Sequence, residues 1–267
     1  MRRDSLFLLS KIMKQISYRR LLTVLFTFIG VQIVGALVTL LGGGISMGVL
    51  LLAVNAVALM LGIALRFTTK SDWSRGQTTI GESLLLLLGI VLLCAGLNML
   101  AEPLDLPDLT AEMMLQVLGN PLGAIAVAIV GPLCEEVFFR AGIMGHACLR
   151  VGASVRTAII TSALLFGLIH GNPAQTPFAF CVGLALGYAY YRTRSLLVPA
   201  LAHIVNNGTV ALSYYVLGDE AFSTFRLSDL MGGTWQVVLL GSALTLVGLC
   251  LLWRMHKRSP SLTPEKY

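Results

Sequence analysis

The sequence predicts an all-α membrane protein: a polytopic bundle of about eight transmembrane helices, with its functional site in the core of the C-terminal half. Three observations predict it. The 267-residue chain is 56% hydrophobic and only 12% charged, where soluble domains carry about 25% charged residues, and its mean hydropathy is +0.83. Several apolar runs reach the roughly 20 residues that a helix needs to cross a bilayer. The basic residues lie between those runs or at the termini, on every second connection, as the positive-inside rule expects.

Residues 1–20 form a basic amphipathic segment. Leu6, Leu9, Met13 and Ile16 recur at helical spacing, opposite Arg2, Arg3, Lys11, Lys14 and Arg19, which places a helix on the inner membrane surface. The segment has no continuous apolar core and no small-residue cleavage site, so a cleavable signal peptide is not expected. Residues 21–116 hold the N-terminal membrane helices, with spans at 21–41, 47–67 and 83–101. Gly42-Gly43-Gly44 closes the first. Arg66, Lys70 and Arg75 follow the second, relieved only by Asp72. An acidic loop with Glu102, Asp105, Asp108 and Glu112 follows the third, broken by Pro103 and Pro107.

Residues 117–217 form the central unit. Its first span runs from 117 or 121 to 142, with charges near its end; Arg140, Arg150 and Arg156 make the next connection basic. Spans at 157–170 and 178–191 are separated by the turn Gly171-Asn172-Pro173. At about 14 residues each they fall short of a full crossing, which suggests a re-entrant or water-lined hairpin buried in protein. A span at 196–217 completes the unit. Residues 218–267 hold the last span, 235–253, and a basic tail with Arg254, Lys257 and Arg258. With eight spans every basic connection falls on one side, so a multi-pass protein of the cell membrane with both termini cytoplasmic is expected.

The net charge of +6 is distributed for membrane lipids as partners rather than for nucleic acid, since no basic patch is interleaved with aromatics. Cys94, Cys134, Cys148, Cys181 and Cys250 are scattered through apolar segments, as small packing residues are, and support neither a disulfide framework nor a CxxC metal site. No internal repeat suggests an inverted-repeat transporter.

The chemistry concentrates in the central unit. Ionisable groups in apolar segments are costly and mark functional sites. Glu135, Glu136 and Arg140 follow an unbroken apolar run. Glu136 and Arg140, four apart, share a helix face and can neutralise each other. Glu135 points about 100° away, unpaired. His170 ends one span, with Phe166 one turn before it. His203 lies inside another, with Asn207 one turn after it. A carboxylate with histidines can activate water. An imidazole and an amide N–H can hold an oxyanion. One Glu with two His is also a catalytic zinc donor set. Both routes lead to hydrolysis. Asn55, Asn98 and Asn206 read as packing or helix–helix hydrogen-bonding groups, His146 and His256 as solvated or lipid-facing, and Glu82 as interfacial.

Taken together, EExxxR at 135–140, FxxxH at 166–170 and HxxxN at 203–207 resemble the CPBP family, the CAAX protease and bacteriocin-processing (Abi) proteins, which includes the type II CAAX prenyl endopeptidases. The resemblance covers about residues 120–210. It implies an intramembrane protease acting on a membrane-associated protein or peptide from a cavity open to the cytoplasmic side. Glu135 would activate water with help from His170, and His203 and Asn207 would form the oxyanion site, with Glu136, Arg140 and Phe166 supporting. Zinc stays open as a cofactor, held by Glu135, His170 and His203 with Glu136 as base. Two other readings are a non-catalytic immunity or scaffold protein and a proton-coupled transporter. One tension is depth. Counted from the basic connections, Glu135 and His203 lie about 10 Å into the membrane and His170 about 20 Å.

Overall fold

The computed structural model describes residues 16–41 and 44–257. The expected amphipathic segment at 1–15, two of the three glycines at 42–44 and the basic tail from 258 lie outside the described residues. Among those described there is no strand, and the fold is a helical bundle. Its helices are α1 (Tyr18–Leu41), α2 (Met47–Ala64), α3 (Ile80–Ala101), α4 (Ala111–Leu118), α5 (Pro121–Val151), α6 (Val155–Ile169), α7 (Thr176–Thr193), α8 (Leu197–Leu217), α9 (Asp219–Thr224), α10 (Leu227–Met231) and α11 (Thr234–Lys257). Each of the eight apolar runs read from the sequence falls on one helix. Five helices, α1, α2, α3, α5 and α11, are long and apolar enough to cross a membrane; α6 is a shorter apolar helix.

Helices α1, α2 and α11 bury few residues and turn Phe26, Ile33, Met60, Trp235 and Leu239 outward, as helices that are apolar all round do in lipid. The interior is built from α5, α7 and α8. α5 is the axis. It starts from Asn120, whose side chain accepts from the Leu122 N–H, with Pro121 opening the first turn. It then switches twice into π-helical turns, at Ala126–Val130 and Glu136–Cys148. Insertions of this kind are rare and gather at functional sites.

α3 and α11 pack backbone to backbone. A Cβ on Gly96 would meet the Thr245 hydroxyl and stand 2.6 Å from the Gly241 carbonyl, and one on Gly248 would stand 2.7 Å from the Gly89 carbonyl. Small residues let membrane helices approach in this way, where packing replaces the hydrophobic drive. Gly96→Val is therefore expected to destabilise the bundle by about 1–3 kcal/mol, read as a lower Tm in detergent, while Gly81→Val, with open space around it, should leave Tm almost unchanged.

Two loop clasps fix the ends of the core. At one end the 65–79 connection is tied to the end of α7. Tyr190 donates to Asp72 (2.9 Å), the Leu196 N–H donates to the Asp72 carbonyl (2.6 Å) and the Gln77 N–H to the Thr193 carbonyl (2.9 Å). Gly76 adopts φ 76°, and any Cβ there would meet the Thr193 carbonyl. At the other end the acidic loop is fastened. Fully buried Asn172 accepts from the Leu109 N–H (3.1 Å) and donates to Asp108 (2.8 Å) and Thr110 (2.9 Å). This clasp holds the turn that directly follows His170.

Partial burial raises the Asp108 carboxyl, but hydrogen bonds from the Thr110 N–H, the Asn172 amide and the Thr110 hydroxyl outweigh it and leave the group below its ordinary value of 3.8. A carboxyl depressed by folding stabilises above its unfolded pKa, and that contribution is lost as pH falls through the folded value. The Tm gap between the wild-type chain and Asp108→Ala should thus be full at neutral pH and narrow as the pH falls below the ordinary value of 3.8 and through the lower folded one.

Candidate active site

The sequence-predicted residues come together around one cavity of about 700 Å³. Glu135, Phe166, His170, His203 and Asn207 all line it. Glu136 and Arg140 do not. They lie behind it, fully buried.

The residues counted at different depths nevertheless meet at this cavity, and α5 is longer than the sequence reading gave. The span was expected to end near residue 142, with Arg140 in a basic connection. Instead the helix continues through its second π segment to Val151, and Glu135 stands near the middle of a 31-residue rod. Arg140 faces inward because Glu136 and the Phe166 ring receive it there. Glu135 and His170 line the same cavity.

Behind the cavity wall, charges are paired in series. Arg140 Nε is 3.1 Å from Glu136 Oε2, and its guanidinium carbon lies 4.4 Å over the Phe166 ring. The other carboxylate oxygen, Glu136 Oε1, is 2.9 Å from His203 Nδ1. His203 Nε2 then faces Glu135 Oε2 at 3.5 Å. One imidazole is held between two carboxylates, and the inner one is neutralised by arginine. Phe166 wedges the two histidines, its ring edge-to-face with His170 (5.0 Å between centroids) and with His203 (5.6 Å).

The two histidines differ in their partners. His170 Nδ1 is 2.7 Å from the Phe166 carbonyl. A carbonyl only accepts, so Nδ1 carries the proton and neutral His170 presents Nε2 as an acceptor. His203 Nδ1 donates to the Glu136 carboxylate, which turns Nε2 toward Glu135 and the cavity.

Asn207 is oriented by α5. In the first π segment the Gly131 N–H bonds the Ala126 carbonyl, five residues back. In the same register the Val127 carbonyl would take the N–H of residue 132, which is proline and has none. The freed carbonyl accepts from Asn207 Nδ2 at 3.4 Å. Asn206 also lines the cavity and donates to Asn207 Oδ1 (3.0 Å). It accepts in turn from Asn98 of α3 (3.2 Å), a helix–helix bond of the kind expected for it.

The sequence reading missed five polar residues of the cavity wall: Gln32, Asn55, Asn98, Gln175 and Asn206. Single carboxamides in apolar helices carry no spacing that separates a wall position from a packing one. His146, read as solvated or lipid-facing, is half-buried beside Phe67. Among the described residues no group of three His, Cys, Asp or Glu is gathered closely enough to hold a metal ion. The donor set as it stands does not fit zinc, and no step below is routed through a metal.

Residues 118–209 match the family described as type II CAAX prenyl endopeptidase Rce1-like. The membrane-embedded CAAX protease MroQ of Staphylococcus aureus (strain USA300) is 33% identical over 105 residues, 38% of this chain and 42% of that protein. The putative membrane peptidase YdiL of Bacillus subtilis (strain 168) is 32% identical over 92 residues, 34% of this chain and 37% of that protein. In both cases the similarity spans less than half the length of the curated relative. No solved structure matches. Over residues 118–209, the stretch that carries Glu135, His170, His203 and Asn207, this chain resembles the Rce1-like type II CAAX prenyl endopeptidases.

Proposed function

We propose that the protein is an intramembrane endopeptidase that hydrolyses a peptide bond of a membrane-associated protein or peptide. The observation that carries this reading is the convergence of Glu135, His170, His203 and Asn207 on one cavity. The matching family and the names of the two relatives, a CAAX protease and a membrane peptidase, support it. The chain sits in membrane lipid with both termini on the cytoplasmic side, as the alternation of basic connections favours.

Water bound between Glu135 and the Nε2 lone pair of His170 loses a proton to the Glu135 carboxylate. The hydroxide attacks the scissile carbonyl. The oxyanion accepts from Asn207 Nδ2–H and from His203 Nε2–H, which requires His203 to carry both protons while its Nδ1–H is held by Glu136. Glu135 then passes its proton to the leaving amine, and the C–N bond breaks.

The test is purification in detergent, metal analysis, and cleavage of a quenched-fluorescent panel of apolar peptides with and without chelator. Metal-free, chelator-resistant cleavage that is lost in Glu135→Ala, His170→Ala and His203→Ala is expected. Stoichiometric zinc with chelator-sensitive cleavage would replace the base mechanism by one in which those three residues are ligands. Cleavage surviving any of the three substitutions would overturn the assignment of that residue. A wild-type chain that cleaves nothing would favour the scaffold or immunity reading.

A further inference from the structure

We infer that Asn98 and Asn206 are positioning residues that set which end of the Asn207 amide faces the substrate. The inference rests on the proposed hydrolysis and deepens it. Asn98 lies on α3, outside the matched stretch 118–209, and no motif marks it.

The three carboxamides form one directed chain. Asn98 Nδ2 donates to Asn206 Oδ1 (3.2 Å), Asn206 Nδ2 donates to Asn207 Oδ1 (3.0 Å), and Asn207 Nδ2 donates to the Val127 carbonyl (3.4 Å). An isolated asparagine can turn over by half a rotation and exchange donor for acceptor. This chain cannot do so link by link, because its last acceptor is a backbone carbonyl that can never donate. The π-turn and Pro132 leave that carbonyl without a helical donor, so the chain's direction is anchored in the α5 backbone. With Oδ1 occupied by Asn206 and one Nδ2–H on Val127, the second Nδ2–H of Asn207 remains for an oxyanion in the cavity. A flipped Asn207 would present an acceptor there instead and repel it.

Asn98 closes the far end. Without its donor, Asn206 Oδ1 is no longer held, Asn206 can turn its Nδ2 away from Asn207, and the anchor on Val127 alone, at 3.4 Å, is long for an N–H···O bond. The expected cost falls on the chemical step and not on binding, because a positioning loss of this kind is felt in the transition state.

The experiment is a set of cycles on the full chain in detergent, with the peptide panel as probe. Asn98→Leu, close in volume but unable to donate, is expected to lower kcat about tenfold with KM within about threefold, a fraction of the ~10²–10³ that a lost oxyanion donor costs. Asn98→Gln, which keeps a carboxamide, should recover most of the rate. In an Asn207→Ala background Asn98→Leu should cost nothing further. An unchanged kcat in Asn98→Leu, or a full additional loss on top of Asn207→Ala, would overturn the inference. Thermal unfolding supplies a readout that needs no activity. The Tm losses of Asn98→Leu and Asn206→Leu should be strongly non-additive, as bonded residues are; additive losses would overturn the chain. A wild-type chain without cleavage would sink the hydrolysis reading, and the thermal cycle would still decide whether the amides act as one unit.

Discussion

Glu135→Gln is expected to lower kcat by about 10³–10⁴, the upper range for loss of a general base, while Tm changes by no more than a few degrees. The two effects separate because Glu135 lines the cavity and makes no hydrogen bond that the fold depends on; its Oε2 has only the 3.5 Å approach of His203. Glutamine keeps the shape and removes the ability to accept a proton. The same comparison for Phe166→Leu should differ, since that ring touches Arg140, His170 and His203 at once; there both Tm and kcat should fall. The check is single-turnover cleavage of the peptide panel next to a thermal melt of the same preparations. Residual activity in Glu135→Gln within tenfold of wild type would assign the base elsewhere.

Much of this arrangement was legible in the sequence. Apolar runs give helices wherever backbone groups must be satisfied internally, so every run found its helix. The charged and imidazole positions stood out because nothing but function or pairing keeps such groups among apolar neighbours. The spacing of Glu136 and Arg140 predicted their contact. What the sequence did not disclose were features without a periodic signal. The π-turns of α5 follow no residue pattern, and they carry the helix past its expected end near residue 142 to Val151. The clasp between Asn172 and the acidic loop joins residues more than 60 positions apart, and a charged, proline-broken stretch looks the same whether it is free or fastened. That clasp leads to a further expectation. Asn172→Leu leaves the Leu109 N–H and Asp108 without their buried partner, should cost about 1–3 kcal/mol, and should lower kcat by loosening the turn behind His170.

The largest loss of stability is expected at Arg140, whose charge is fully buried with that of Glu136. Breaking a buried pair by removing one member typically costs about 3–5 kcal/mol, because the other charge stays behind in a poor solvent. Arg140→Met therefore strands Glu136, and Glu136→Gln strands Arg140. The two are not equivalent in chemistry. In Arg140→Met the carboxylate still reaches His203, so the protein that remains folded should retain part of its rate. In Glu136→Gln the imidazole exchanges a charged acceptor at Nδ1 for a neutral amide that can also turn its NH₂ toward the ring, so His203 is no longer held as an oxyanion donor and kcat should fall by about 10²–10³. The double variant decides between structural and chemical roles. With both charges gone and the volume kept by Met and Gln, Tm should recover toward wild type, as neutral replacements of buried pairs often do, while kcat should stay as low as in Glu136→Gln alone. Melting curves and single-turnover rates of the two single variants and the double provide the measurement. A double variant that regained both stability and rate would show that Glu136 serves the fold and that His203 does not need its carboxylate.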